Sequence, residues 1–136
     1  MTPIEWTREL SVGDEDIDRQ HQQLVGMVDQ LYDAVNESRL EDLTITDVNN
    51  LMTFAWNHFQ TEEEMFRRIG FPEAEDHIKE HERFVQAVTD FRTRFATMGE
   101  NVFPELVAYL DEWLDDHLRE KDQKYASYLA GKRDGV

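Results

Sequence analysis

The chain has 136 residues, a length that suits one domain around a single core. Cysteine is absent, which excludes disulfide frameworks, thiolate metal sites, iron–sulfur clusters and cysteine nucleophiles, so any metal here must be held by nitrogen and oxygen. The formal charge is −16, and Lys and Arg are scattered singly or in pairs, which argues against nucleic acid and anionic membrane as partners.

The run Met1-Thr2-Pro3-Ile4-Glu5-Trp6-Thr7-Arg8-Glu9 has neither a basic n-region nor an apolar h-region, and no apolar stretch is long enough to span a bilayer. A cytoplasmic protein is expected, monomeric by default, with no protein partner named by the sequence. An irregular arm is expected over residues 1–16, where Gly13, Asp14 and Asp16 offer a turn and N-caps for a first helix.

Four stretches of helical periodicity follow, roughly 17–37, 46–69, 72–97 and 104–129. The first reads Ile17, His21, Leu24, Val28, Leu31, Val35, and the second Leu51, Phe54, His58, Glu62, Met65, Ile69 before Gly70. Phe71-Pro72 precedes a third stripe of His77, His81, Phe84, Val88, Phe91 and Phe95, with proline expected at the first helical position. The fourth begins near Pro104 and reads Leu106, Leu110, Trp113, His117, then Asp122, Tyr125, Leu129. Strand signals are essentially missing. Short connections force sequential helices antiparallel, so the predicted fold class is all-α, an up-down-up-down four-helix bundle.

All five histidines fall on these inward stripes, spread over all four helices. A buried imidazole needs partners for both ring nitrogens, and a buried carboxylate costs several kcal/mol unless it is paired or binds a metal. His58 with Glu62, and His77 with His81, are four residues apart, which places each pair roughly 5–6 Å apart at Cβ on one helix face. Each pair can therefore chelate one ion. His21 and His117 add one ligand each from the remaining helices. For any one of these histidines a hydrogen-bonded core role is the more ordinary assignment; five together leave that assignment little room.

Five imidazoles with Glu62 and Asp122 are too many donors for one tetrahedral ion and match two ions of near-octahedral coordination. Carboxylates bridge where imidazoles do not, so Glu62 and Asp122 are the natural bridges. Five terminal ligands shared by two ions leave one position open. Sulfur-free imidazole and carboxylate ligands suit iron, manganese or zinc, and among these iron commonly handles dioxygen. Glu63 and Glu64 are expected to be solvated.

His117 and Asp122 are five apart, about 140° out of register on an ideal helix. Either the aspartate reaches around the helix, or a π-bulge, which aligns i with i+5, interrupts the fourth helix. A regular hydrogen-bond ladder through His117 to Asp122 would exclude the bulge. Around the open position the side chains are apolar: Leu24, Phe59, Trp113, Leu114 and Leu118, with no obvious acid or base. Such a dry pocket suits reversible binding better than oxidation. In any bundle the same residues would also serve as ordinary core.

Taken in order, His21, the H-x-x-x-E of His58 and Glu62, the H-x-x-x-H of His77 and His81, and the H-x-x-x-x-D of His117 and Asp122 resemble the hemerythrin family, in particular its single-domain bacterial members. The likeness extends to Trp6, Gly13, the segment from Ile17 to Leu24, and Gly70-Phe71-Pro72, and so covers nearly the whole chain. It implies two non-heme iron ions, one held by His77, His81 and His117 and the other by His21 and His58. Glu62, Asp122 and an oxo or hydroxo group would bridge them. It further implies reversible dioxygen binding at the second iron, one electron coming from each ferrous ion, in a pocket lined by Leu24, Phe59, Trp113, Leu114 and Leu118. The function expected is dioxygen carriage, storage or delivery with no catalytic residue. The alternatives are a di-iron redox enzyme or an oxygen or redox sensor acting on peroxide, nitric oxide or ferrous iron.

Overall fold

A computed structural model describes residues 5–134, so residues 1–4 of the expected arm lie outside the described residues. The described chain is helical, without a strand. Helix α1 spans Glu15–Asn36, α2 Ile45–Ile69, α3 Ala74–Met98 and α4 Phe103–Asp116; a π-turn, His117–Lys121, then leads directly into α5, Asp122–Asp134. Short 3-10 turns occupy Arg8–Leu10, Leu40–Asp42 and Gly99–Val102.

Local chemistry explains most boundaries. The Asp14 carboxylate caps α1 by accepting the Ile17 N–H at 3.0 Å, so the helix starts slightly before the expected residue 17. Thr44 and Asp47 form a reciprocal capping box at the start of α2. Gly70 ends α2 in the left-handed region at φ 66°, a conformation that costs glycine no Cβ clash.

Pro72 departs from expectation. It does not open α3; the Ala74 N–H bonds the Phe71 carbonyl at 3.2 Å, which makes Phe71 to Ala74 a turn with proline at its second position, where its fixed φ fits. Helix α3 starts only at Ala74, and its His77 N–H reaches back to the Glu73 carbonyl at 3.2 Å.

The arm is tied down rather than loose. Asp18 accepts the Val12 N–H at 2.9 Å and the Ser11 hydroxyl at 2.6 Å, while Leu10 and Val12 are buried. From the other side Gln123 donates to the carbonyls of Leu10 and Leu118, each at 3.2 Å. The arm is thereby fastened to α1 and to the start of α5.

Helix α1 packs against α2 and α4, and α2 against α3. The apolar faces form two clusters. The larger gathers Leu24, Val28, Leu31, Leu51, Ala55, Phe59, Phe84, Val88, Leu106, Leu110, Leu114 and Leu118. The smaller gathers Val12, Ile17, Met65, Phe66, Phe71, Tyr125 and Leu129. Each fully buried aliphatic or aromatic side chain of this kind contributes about 1.5–3 kcal/mol. Between the two clusters lies a seam of buried polar side chains. Among the described residues no helix is long and apolar enough to cross a membrane.

Candidate metal centre

The seam holds His21 from α1, His58 and Glu62 from α2, His77 and His81 from α3, His117 from the π-turn and Asp122 from the first residue of α5. All seven are buried, the two carboxylates completely. These are the seven positions singled out in the sequence, and the fold brings them together.

The spacing of His117 and Asp122 is resolved by the backbone. The Asp122 N–H bonds the His117 carbonyl five residues back, so the helix is a π-turn at this point and both side chains face inward. A carbonyl of that turn, that of Leu118, takes the Gln123 side-chain amide.

The ligand atoms divide into two overlapping groups. Glu62, His77, His81 and His117 each place a ligand atom within 4.8 Å of the others, as do His21, His58 and Glu62. Asp122 spans them: its Oδ1 lies 3.1 Å from His77 Nε2 and 3.0 Å from His117 Nε2, and its Oδ2 lies 3.1 Å from His21 Nε2. Glu62 spans them as well, with Oε1 at 3.2 Å from His58 Nε2 and 3.1 Å from His81 Nε2, and Oε2 at 3.5 Å from His21 Nε2.

Despite these approaches, the Nε2 atoms of all five histidines, Oε1 of Glu62 and both Asp122 oxygens are buried with no well-aligned hydrogen bond. An unsatisfied buried polar atom costs about 1–3 kcal/mol, and native interiors hold few of them. Eight such atoms, drawn from α1, α2, α3, the π-turn and α5 and gathered in one seam, fit cations as their common partner. Nitrogen and carboxylate oxygen without sulfur are the donors a pair of first-row transition-metal ions accepts.

The electrostatics point the same way. Burial would lower the His21 imidazole, but Asp122 and then Glu62 outweigh it and push its pKa up to about 10; for His81 burial is likewise outweighed, by Glu62 and Glu63, and the value is about 9. His117 stays below the ordinary imidazole value because its burial prevails over Asp122. Burial raises Glu62, yet His58, His21 and His81 hold it well below the usual carboxylate range. Burial and the Glu62 charge raise Asp122, and His117 and His21 bring it below that range. Two carboxylates that stay ionised in a dry seam favour positive charge there, whether protons or metal ions.

Three side chains outside the seven, none of them assigned to the site from the sequence, complete it. Tyr125, fully buried, donates its hydroxyl to Oε2 of Glu62. Burial, with Asp122 and Glu62 nearby, holds the Tyr125 pKa well above its ordinary value, so the phenol keeps its proton. Glu63, expected to be solvated, instead accepts from His81 Nδ1 at 3.0 Å; Glu64 is exposed as expected. Gln20 takes the corresponding place on the other histidine pair, accepting from His58 Nδ1 at 2.7 Å. Tyr125 is one helical turn beyond Asp122, which is the available signal for it. Glu63 is hidden in an acidic run whose bulk character is solvated.

Of the five apolar residues expected near an open position, two lie against the seam: Phe59 stacks on His81 with ring centroids 3.9 Å apart, and Trp113, half-buried, stacks on His117 at 4.3 Å. Leu24, Leu114 and Leu118 are buried in the larger apolar cluster that also holds Phe59.

Comparison with known proteins agrees with this construction. The sequence pattern of the hemerythrin HHE cation binding domain matches residues 12–129. Bacteriohemerythrin of Stenotrophomonas maltophilia is 32% identical over 130 residues, covering 95% of this chain and 83% of the relative. Bacteriohemerythrin of Pseudomonas aeruginosa is 34% identical over 126 residues, covering 92% and 80%. A hemerythrin-like protein of Naegleria gruberi is 26% identical over 128 residues, covering 94% and 95%. With all four of its main helices and all seven buried polar side chains of the seam inside the matched span, the chain belongs to the hemerythrin HHE cation binding domain family.

Proposed function

We propose that the chain is an up-down-up-down four-helix bundle that binds dioxygen reversibly at a pair of non-heme iron ions, as a carrier, store or delivery protein. The observation that carries this is the set of five unpartnered imidazole Nε2 atoms converging on two carboxylates that each face both histidine groups. His77, His81 and His117 would hold one ion and His21 with His58 the other, with Glu62, Asp122 and an oxo or hydroxo group between them. Three imidazoles against two leaves the His21 and His58 side with the open position. A ferrous pair supplies the two electrons that reversible dioxygen binding needs.

The protein's own part is positioning and exclusion. Leu24, Phe59, Trp113, Leu114 and Leu118 form the dry wall of the pocket and keep water from the polar atoms. The relatives at 32–34% identity are bacteriohemerythrins, which supports the dioxygen reading. A second reading, a redox enzyme or sensor acting on peroxide, nitric oxide or ferrous iron, is favoured by one observation. The Tyr125 hydroxyl on Glu62 is a buried proton donor at the centre.

The test is an optical spectrum of iron-loaded, reduced protein before air, after air and again under vacuum. A visible charge-transfer band that appears with air and vanishes under vacuum is the expected result. Direct conversion to a stable diferric spectrum would overturn carriage in favour of the second reading.

A further inference from the structure

Each metal-facing histidine has a second ring nitrogen, and what that nitrogen touches sets both the ring's tautomer and its strength as a donor. At His81, Nδ1 meets a carboxylate, Oε2 of Glu63, at 3.0 Å. At His58 it meets a neutral amide oxygen, Oε1 of Gln20, at 2.7 Å. Neighbouring hydrogen bonds fix the orientation of that amide. Thr61 donates its hydroxyl to the Asn57 carbonyl at 3.1 Å, so toward Gln20 it can only accept, and it takes Nε2 of Gln20 at 3.5 Å. Gln20 therefore presents oxygen, not nitrogen, to His58. In both rings Nδ1 carries a proton, so Nε2 is the nitrogen that a metal ion in the seam would meet.

The two partners are not equivalent. A carboxylate accepting from Nδ1–H draws the proton toward itself and makes the opposite nitrogen more basic; an amide oxygen does so far less. The Glu63 side chain is 15% exposed and retains water contact, so holding it charged costs less than holding Glu62 charged. It is also fixed in place, since its own helix carries Glu62 and its partner His81 is stacked under Phe59.

We propose that Glu63 and Gln20 are positioning residues that widen the difference between the two metal sites beyond what three imidazoles against two already set. Glu63 strengthens the site of His77, His81 and His117, while Gln20 leaves the site of His21 and His58 the weaker and more readily vacated. This rests on the reading of the seam as two metal sites, and not on the identity of the metal or on dioxygen.

Cobalt(II), added to the metal-free full-length chain and followed by calorimetry and by its visible absorption, tests this without iron or dioxygen. Wild type should take two equivalents in separate steps. Glu63→Gln, which keeps an acceptor but removes the charge, should weaken the tighter step by about 10–100-fold and leave the weaker one in place. Gln20→Glu should do the reverse, strengthening the weaker step and narrowing the gap, with the far-ultraviolet circular dichroism of both variants unchanged. A gap that neither variant alters, or a Glu63→Gln variant that weakens both steps equally, would overturn the proposal. Two normal cobalt steps in a protein whose iron form fails to bind dioxygen would sink only the functional reading; a chain that takes up no cobalt would sink both.

Discussion

The backbone N–H of Asp122 bonds the carbonyl of His117, and the side chains of the same two residues meet at 3.0 Å between Nε2 and Oδ1. One irregular hydrogen bond thus does what ideal helix geometry forbids, bringing positions five apart onto one face. The bulge also sets the phase of everything after it, including Tyr125 and Leu129 in the smaller apolar cluster.

Shortening the π-turn by one residue should therefore preserve the register on both sides of it. Glu120 is exposed within the turn. Removing it converts the π-turn to regular helix, in which four-residue spacing keeps the His117 and Asp122 side chains on one face and α5 in phase. Tyr125 and Leu129 would then stay in their cluster, each keeping roughly 1.5–3 kcal/mol of burial. Two ions per chain and a thermal midpoint near that of wild type are expected; a deletion variant that lost metal would show that the π-turn itself, and not only the shared face, is needed.

Removing a ligand tests the coupling of metal to fold. His77→Ala takes one imidazole from between Asp122 and the Phe66 ring and leaves Oδ1 of Asp122 one ligand partner short. The variant should hold fewer than two ions per chain and exchange its α3 amide hydrogens faster than wild type, because burial of these polar groups depends on the ions they share. Two tightly held irons with normal dioxygen binding would show the ligand assignment of His77 to be wrong.

Much of this was legible in the chain. Periodicity located the helices, and the register of His58 with Glu62 and of His77 with His81 marked side chains that meet in the buried seam. What escaped has identifiable physical causes. Pro72 was expected inside α3, yet proline serves the second position of a turn as well as the first position of a helix, and only the Ala74 to Phe71 bond decides between them. Glu63 sits in a run of three glutamates, and its contact with His81 depends on how α2 and α3 are juxtaposed, 18 residues apart in the chain. Tyr125 looked like ordinary core and is that too; its hydroxyl found Glu62 from 63 positions away.

Tyr125→Phe separates the two functional readings. The substitution leaves Oε2 of Glu62 without its donor in the metal-free chain, for a cost of about 1–3 kcal/mol in urea unfolding. If the protein is a carrier, the iron-loaded variant should bind and release dioxygen through as many cycles as wild type. If Tyr125 supplies a proton to chemistry at the centre, turnover with peroxide should instead fall at least tenfold, and that outcome would favour the enzymatic reading.

The seam also makes metal-free and metal-loaded protein respond to pH with opposite signs. Without metal, His21 and His81 titrate near 10 and 9 in the folded chain against 6.5 in the unfolded one. A raised folded value means stabilisation that is complete below pH 6.5 and lost as pH rises through 9 to 10. Glu62 and Asp122 are lowered, so their contribution is present above the unfolded values of 4.5 and 3.8 and disappears only in stronger acid. His117, held neutral by burial, acts against this pattern and removes stability as pH falls below 6.5. One imidazole opposes two, so the metal-free chain should lose stability between pH 7 and pH 10. Metal reverses the dependence, because each ion needs the lone pairs that those protons occupy, and loading releases them. Urea midpoints at pH 6, 8 and 9.5 should fall for metal-free protein and hold or rise for the loaded form. A metal-free chain whose midpoint climbed toward pH 9.5 would mean that the imidazoles of the seam are already neutral without metal, and that Glu62 and Asp122 draw their compensation from elsewhere.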